Sequence, residues 1–453
     1  MIVTFINRKL ELKVLEGLWR SGSPQLVIAY GRRRVGKTRL LREFLSKTGG
    51  LYFYVPMGGR ETVLTEVSQA VEKDFFKGFR FQDFGTFLEY LSKKLAEREV
   101  VVIDEFQRLV DYEGALSLIQ KYWDERYSKG KGVLVLSGSS IGTIKRVALE
   151  GDAPLYGRRT FTMEVKPLGF RDLRECFRFD PEELVRIYGA FGGTPAYLEK
   201  VDDSMAAEEN IVRSILRKGG ALYDEPEYLL MEEVRAPGRY MDILTAISLG
   251  KNSLSEISDA TGIRRENITT YLGSLESMKL ISRESPVLAK SKRSQYVIND
   301  PFFEFWFRFV RPNKQALELG LEREVWANVR DDFNAYLGRV FQRIAREHMA
   351  DRIRSGALIG ADVLGGWWHG GEEIDLVAYS SRADEGILFE VKWKELSYGE
   401  AKSVLLRLAE KAGRIPMGRR RYGIVAKRVE ERERLDREGY IVVDLEEILS
   451  APF

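Results

Sequence analysis

The sequence predicts an α/β chain of several domains, and three observations carry that reading. A glycine-rich loop joins an apolar run to an amphipathic helix in QLVIAYGRRRVGKTRLLREFL. Two further apolar runs, REVVVIDEF and GVLVLSGSS, read as parallel strands buried on both faces. Beyond Asp331 a helix, three strands, a helix and a strand follow in that order. At 453 residues the chain exceeds one hydrophobic core, so about two to four domains are expected.

Composition narrows the function classes. Hydrophobic residues are 44% and charged residues 31%, the balance of a globular chain with a mixed-charge surface. One cysteine, Cys176, excludes an intramolecular disulfide. With His348 and His369 as the only histidines, no Cys/His zinc cluster can be assembled, so any metal falls to carboxylates. The N-terminal stretch MIVTFINRKLELKVLEG turns charged at Arg8, and no later apolar run reaches the roughly 18 residues of a membrane span. A cytoplasmic protein without a membrane partner is expected. The net charge of +3 does not argue for nucleic acid by itself, though it leaves room for local basic patches. Abundant charge and scarce cysteine point to a thermophile.

The run Leu26 to Tyr30 ends at Gly31; Arg32, Arg33, Arg34 and Val35 follow, and Gly36-Lys37-Thr38 opens a helix through Arg39. This is G-x-x-x-x-G-K-[ST] in its strand–loop–helix setting. The glycines let successive N–H groups turn toward nucleotide phosphates, and the helix N-terminus adds its positive end. Lys37 then reaches the β and γ phosphates of ATP, and Thr38 offers a hydroxyl to Mg²⁺. A P-loop NTPase needs an acidic strand end, and VVVIDEF supplies Asp104 to hold Mg²⁺ through water and Glu105 to orient or deprotonate the attacking water. Ser137 and Ser139 end the next strand, where they touch the γ-phosphate or the lytic water, or simply close the strand. Arg158 and Arg159 in PLYGRRT form either an arginine finger, for this subunit or a neighbouring one, or a solvated basic turn.

The segments FINRKLELKVLE, YGRRRVGKT, VVVIDEFQ, VLSGSS, LYGRRT and FGGTPAYL, taken in order, resemble the archaeal ATPase family. That family belongs to the signal-transduction ATPases with numerous domains (STAND), relatives of AAA+ proteins. The resemblance spans roughly the first two-thirds of the chain. It implies an ATPase core over residues 1–167, a helical lid over 168–235 and ATP/ADP as ligand, and it leaves open whether the chain works alone or as a homo-oligomer. It also implies that Arg8 and Glu11 lie near the adenine and that Gly192 to Pro195 senses the bound nucleotide from the lid.

Residues 236–300 read as MDILTAISLG, SLSEISDATG and RRENITTYLGSLESMKL, followed by two strands around a basic loop. Ser253 with Glu256 forms a capping box, and Thr261-Gly262 a tight turn. Ile268, Tyr271, Leu272, Leu275 and Leu280 are expected on one face of the third helix. The pattern resembles a winged helix-turn-helix. On DNA, Arg264, Arg265, Asn267, Thr269 and Thr270 would meet bases and phosphates while Lys290, Lys292 and Arg293 of the wing touch backbone. The alternative is an intramolecular lid on the nucleotide domain. In DPFFEFWFRFVRP, within a connector over 301–330, helical spacing of the aromatics favours packing over base stacking.

The last region, 331–453, begins with a helix from Phe333 to Arg354 and has the core order of the PD-(D/E)XK nuclease superfamily, a restriction-endonuclease-like α/β fold. Asp375 on the second strand and Glu390-Val391-Lys392 on the third supply the motif, and strand alternation puts Glu390 and Lys392 on one face. Two carboxylates and the Val391 carbonyl would hold Mg²⁺ or Mn²⁺, with Lys392 positioning or deprotonating water. The segments WW, EID and EVKW resemble the C-terminal domain of many archaeal ATPases of this family. A departure stands on the first helix, where Gln342 takes the place of a superfamily glutamate; Glu347 lies off that face. Two readings stay open: a switch coupled to a nucleic-acid-engaging, metal-dependent nuclease, and a nucleotide-gated DNA-binding regulator or signalling scaffold that does not cleave.

Overall fold

The computed structural model describes residues 7–151, 153–288 and 294–450. It divides into two compact units, the first formed by residues 1–168 with 194–196 and the second by 169–193 with 197–453.

In the first unit, strands β1 (Gln25–Tyr30), β2 (Leu51–Tyr54), β3 (Val100–Asp104), β4 (Val133–Gly138) and β5 (Phe161–Glu164) form an all-parallel sheet in the order β2-β3-β4-β1-β5. Its central strands are continuously apolar because both faces are covered. Val27, Val102 and Val135 meet Leu40 and Phe44 of helix Lys37–Thr48 on one face. Ile28, Ile103 and Leu136 meet Leu88 and Leu91 of helix Phe84–Ala96 on the other. Strand alternation then fixes the polar ends. Asp104 and Ser137 are register partners and share the parity of Val102 and Val135, which turns them toward helix Lys37–Thr48.

In the second unit, after short helical turns at Phe170–Asp172 and Leu173–Cys176, helix Pro181–Phe191 is capped by the Asp180 side chain on the Glu183 N–H. Helices Pro237–Ser248, Leu254–Thr261 and Arg265–Ser277 follow, then an antiparallel pair, β6 (Ile281–Glu284) and β7 (Gln295–Ile298). The Ser253/Glu256 capping box forms in both directions, and Gly262 ends its helix at φ 65°. Ile268, Leu272 and Leu275 are buried on the third helix. Leu280 is also buried, but it lies beyond that helix, which ends at Ser277 before the left-handed turn at Lys279. The aromatic run is core: Phe302, Phe303, Phe305, Trp306, Phe307 and Phe309 are all buried, and the Trp306 indole donates to the Tyr223 carbonyl at 2.7 Å.

A helix of 33 residues, Glu322–Arg354, starts well ahead of the expected Phe333 and runs through the boundary placed at Asp331. Trp326 and Phe333 explain the early start, because their rings pack 5.3 Å apart and commit the charged first turns to the same apolar stripe. Strands β8 (Val363–His369), β9 (Glu372–Ser380), β10 (Glu385–Leu396), β11 (Arg419–Val429) and β12 (Ile441–Asp444) then form a mixed sheet, ordered β12-β11-β10-β9-β8. The β8/β9 and β9/β10 pairs are antiparallel, whereas β10/β11 and β11/β12 are parallel. After β6, the Val287 N–H donates to the Gly366 carbonyl of β8 at 2.9 Å, so the root of the β6–β7 connection is fastened to this sheet. Lys290, Lys292 and Arg293 lie outside the described residues. No helix among the described residues is long and apolar enough to cross a membrane.

Candidate nucleotide site and C-terminal carboxylate cluster

β1 ends where backbone geometry demands glycine twice. A Cβ on Gly31 would collide with the Val165 carbonyl, and Gly36 sits at φ 91° as the cap of helix Lys37–Thr48. Between them Arg34 also takes a left-handed φ of 67°. The Lys37 ammonium is buried and donates to the Gly31 and Arg32 carbonyls, each at 2.9 Å. Arg8 buttresses the loop from outside, donating to the Val35 carbonyl at 2.9 Å and the Lys166 carbonyl at 2.7 Å while pairing with Glu11 at 2.9 Å. Pro195 belongs to the same unit and lies 3.8 Å from where a Gly36 Cβ would be. The loop residues, Arg8, Glu11 and Pro195 are therefore gathered at one corner.

That corner also holds the acidic strand end. The Thr38 hydroxyl donates to Asp104 Oδ2 at 2.7 Å, and the Tyr52 hydroxyl from β2 donates to the same oxygen at 2.8 Å. Burial, then the charge of Asp104, pushes the Tyr52 phenol well above its ordinary range, so it stays a donor. Ser137 Oγ, fully buried beside Asp104, has no hydrogen-bond partner among the described residues. A hydroxyl, a carboxylate and an unsatisfied polar atom are a donor set that fits Mg²⁺, which uses few protein oxygens when phosphates and water complete its octahedron.

Glu105 follows at φ 59°, a left-handed backbone uncommon for a non-glycine residue. Its Oε2 accepts from Gln107 Nε2 at 2.5 Å and from Ser139 Oγ at 2.8 Å, with Arg108 at 3.9 Å. The carboxylate is thus held from two sides.

The second cluster lies where β9 and β10 stop pairing. Their register runs from Ser380–Glu385 to Leu376–Phe389, and the next residues are Asp375 and Glu390. Asp375 Oδ2 accepts the Val391 backbone N–H at 2.7 Å, and Asp375 Oδ1 accepts the Gln342 side-chain amide at 2.8 Å. Glu390 Oε2 accepts from Lys392 at 2.7 Å, and its Oε1 from Lys411 of helix Tyr398–Ala412 at 2.9 Å. Burial, and after it the charge of Glu390, lifts Asp375 above its ordinary value. Burial also opposes charge on Glu390, but the hydrogen bonds from Lys392 and Lys411 outweigh it and hold that carboxyl below its ordinary value. The residues do not fit a hard divalent cation as arranged. All four carboxylate oxygens already accept from N–H donors, two ammonium groups stand within the set, and the third carboxylate is replaced by an amide. Among the described residues no group of three or more His, Cys, Asp or Glu side chains is placed to hold a metal. Glu347 is engaged elsewhere, accepting from the Tyr188 hydroxyl at 2.8 Å and the Phe170 N–H at 3.2 Å.

Comparison with known proteins identifies the lineage. A family described as "ATPase domain predominantly from Archaea" matches residues 5–201, and one described as "Archaea bacterial proteins of unknown function" matches 306–404. An uncharacterized protein of Methanocaldococcus jannaschii is 33% identical over 451 residues, covering 98% of this chain and 99% of that one. The chain belongs to this archaeal ATPase family. An uncharacterized ATP-binding protein of the same organism is 57% identical over 44 residues, 10% of this chain and 75% of its own length. The Walker-type ATPase of Pyrococcus abyssi shares the fold at a TM-score of 0.51 and 23% identity, over 67% of this chain and 96% of that one. The N-terminal unit of this archaeal ATPase is thus an ATPase domain of the P-loop type.

Other residues singled out from the sequence are distributed as follows. Arg158 is spent on Asp124, donating from Nε to Oδ1 and from Nη2 to Oδ2, both at 2.8 Å. Arg159 donates to the Ala148 carbonyl at 3.1 Å and lies over the Tyr156 ring. Neither has a hydrogen bond to the phosphate loop among the described residues. Arg264, Arg265, Asn267, Thr269 and Thr270 are all exposed, opposite the buried face of their helix.

Sequence reasoning missed Tyr52, Gln107 and Lys411. Gln107 stood inside the motif VVVIDEFQ, but its role shows only in its bond to Glu105. Lys411 had a fainter signal: it lies one helical turn after the buried Leu408, where an apolar stripe ends in a cation.

Proposed function

We propose that this chain is an ATP-binding and ATP-hydrolysing switch of the STAND kind. Its nucleotide state would be read by a winged helix at residues 236–300 and by a nucleic-acid-engaging C-terminal domain of nuclease-like fold. The single observation that carries the reading is the Thr38–Asp104 hydrogen bond, which joins the loop helix to the end of β3 beside the glycine turn. Lys37 would exchange the Gly31 and Arg32 carbonyls for phosphate oxygens, and the loop N–H groups would take the remaining phosphate acceptors. Mg²⁺, held by Thr38 directly and by Asp104 through water, would neutralise phosphate charge. Glu105, aimed by Gln107 and Ser139, takes the proton of the attacking water as the bond to the ADP leaving group breaks.

The test is ATP binding and hydrolysis by Lys37→Ala and Glu105→Gln. The first should lose nucleotide binding. The second should keep it while hydrolysis falls about 10²- to 10⁴-fold, the usual worth of a general base. Hydrolysis by Lys37→Ala at the wild-type rate would sink the loop assignment.

A second reading, a nucleotide-gated DNA-binding regulator without phosphodiesterase activity, is favoured by the exposed row from Arg264 to Thr270 together with the saturated oxygens of Asp375 and Glu390.

A further inference from the structure

The residues around Asp375 and Glu390 come from four elements: β9, β10, which also gives the Val391 N–H, the long helix Glu322–Arg354 and helix Tyr398–Ala412. A hard divalent cation is held through carboxylate oxygens that are free to face it. Here each oxygen has a donor. Asp375 and Glu390 side chains are 9% and 8% exposed, so these hydrogen bonds are made with little water present. Two carboxylates and two ammonium groups also bring the formal charge of the cluster to zero, where a divalent ion would need a negative excess to compensate its lost hydration.

Two of the donors have no role in the superfamily motif. Gln342 reaches Asp375 from the long helix, and Lys411 reaches Glu390 from a helix 21 residues further along the chain than that glutamate. Lys411 donates also to the Glu373 backbone carbonyl at 3.0 Å, so its ammonium bridges β9 and β10. Together these donors fill Asp375 Oδ1 and Glu390 Oε1, the two oxygens that the Val391 N–H and Lys392 leave over.

We infer that the C-terminal cluster is a metal-independent clasp: Gln342 and Lys411 occupy the place of a divalent cation, tying both carboxylates to two helices, and the domain does not cleave by metal-assisted hydrolysis. The inference rests on the nuclease-like reading of this fold. Breaking the clasp should open the corner. Gln342→Glu restores a third carboxylate beside Asp375, and Lys411→Met removes the cation that neutralises Glu390 while keeping the length of the stem.

The experiment is Mn²⁺ binding to the nucleotide-free full chain, followed by calorimetry and by the electron paramagnetic resonance signal of the free ion. Wild type, Asp375→Asn, the Gln342→Glu/Lys411→Met double variant and its Asp375→Asn derivative are compared, with thermal melting as the folding control. Expected is equal Mn²⁺ uptake by wild type and Asp375→Asn, and in the double variant an additional bound ion that Asp375→Asn abolishes. Uptake by the wild type that Asp375→Asn removes overturns the inference and leaves the nuclease-like reading standing. A folded double variant that gains no ion overturns the assignment of that place to Gln342 and Lys411, and the nuclease-like reading of the corner falls with it.

Discussion

Thr38 and Tyr52 donate to one and the same oxygen of Asp104, at 2.7 Å and 2.8 Å, although they come from different edges of the phosphate corner. On the proposed reading a lone pair of the Thr38 hydroxyl would face Mg²⁺ while its O–H stays on Asp104, and Tyr52 would help to hold the same carboxylate oxygen in place. Tyr52→Phe keeps the ring that packs beneath Arg42 and removes only the hydroxyl. A hydrogen bond to a charged group is worth about 1.5–3 kcal/mol, so kcat should fall about 10-fold or more with KM for ATP little changed. The Mg²⁺ concentration for half-maximal rate should rise. An unaltered Mg²⁺ dependence would remove Tyr52 from the positioning of Asp104.

Glu105 is held by two donors at one oxygen, which predicts redundancy. Gln107→Ala leaves the Ser139 bond, and Ser139→Ala leaves the Gln107 bond. Each single variant should reduce kcat by less than about 10-fold, while the double variant approaches the Glu105→Gln rate, because residues acting on one group are not additive. Steady-state rates of the four proteins decide it; a double variant equal to the product of the singles would mean that the two donors act independently of each other.

The phosphate corner was legible in the sequence because phosphate binding imposes fixed spacing: Gly31, Gly36, Lys37 and Thr38 must follow one another on a strand–loop–helix unit. Asp104 stood out because an apolar run buried on both faces ends there in a carboxylate, and its bond to Thr38 puts it beside the loop. Tyr52 did not stand out, since LYFYVP reads as an ordinary strand and the partner of its hydroxyl lies 52 residues away. Gln342 and Asp375 were both noticed, but the direct bond between them depends on how the long helix rotates, and no local pattern encodes that rotation. The start of that helix was misplaced for a related reason: EREVWANVRDD is dominated by charge, and only packing of Trp326 on Phe333 reveals it as helix.

His348 makes stability depend on pH. It is 1% exposed, neither ring nitrogen has a hydrogen-bond partner among the described residues, and burial followed by the charges of Arg352 and Arg171 lowers it to about 4, against the opposing charge of Asp351. Above its ordinary value of 6.5 both folded and unfolded chains are neutral there. Below that the unfolded chain takes up a proton that the folded one refuses, so stability falls as pH drops from 6.5 toward 4, by on the order of 3 kcal/mol in all. The neighbouring Glu347, raised by burial, has the opposite sign and gains stability on protonation. His348→Leu isolates the histidine: between pH 7 and pH 5 its Tm should fall by about 2–4 °C less than the wild type's. Parallel Tm curves for the two proteins would show that the buried imidazole is not the group refusing the proton.

The exposed side of helix Arg265–Ser277 predicts how nucleic acid would be held. Arg264 and Arg265 stand at its N-terminal end, where backbone N–H groups also face outward, and Asn267, Thr269 and Thr270 continue the same exposed surface. Replacing Arg264 and Arg265 by Ala removes two cations without touching Ile268, Leu272 or Leu275 in the core, so the fold should persist. Each arginine–phosphate ion pair removed in this way should reduce the slope of log K against log salt by about 1. Fluorescence anisotropy with a labelled duplex over a salt series, with ATP and with ADP, measures both slopes. A double variant with the wild-type slope would move the DNA-binding surface away from this helix, and absence of duplex binding at low salt in either nucleotide state would leave the three helices a packing module alone.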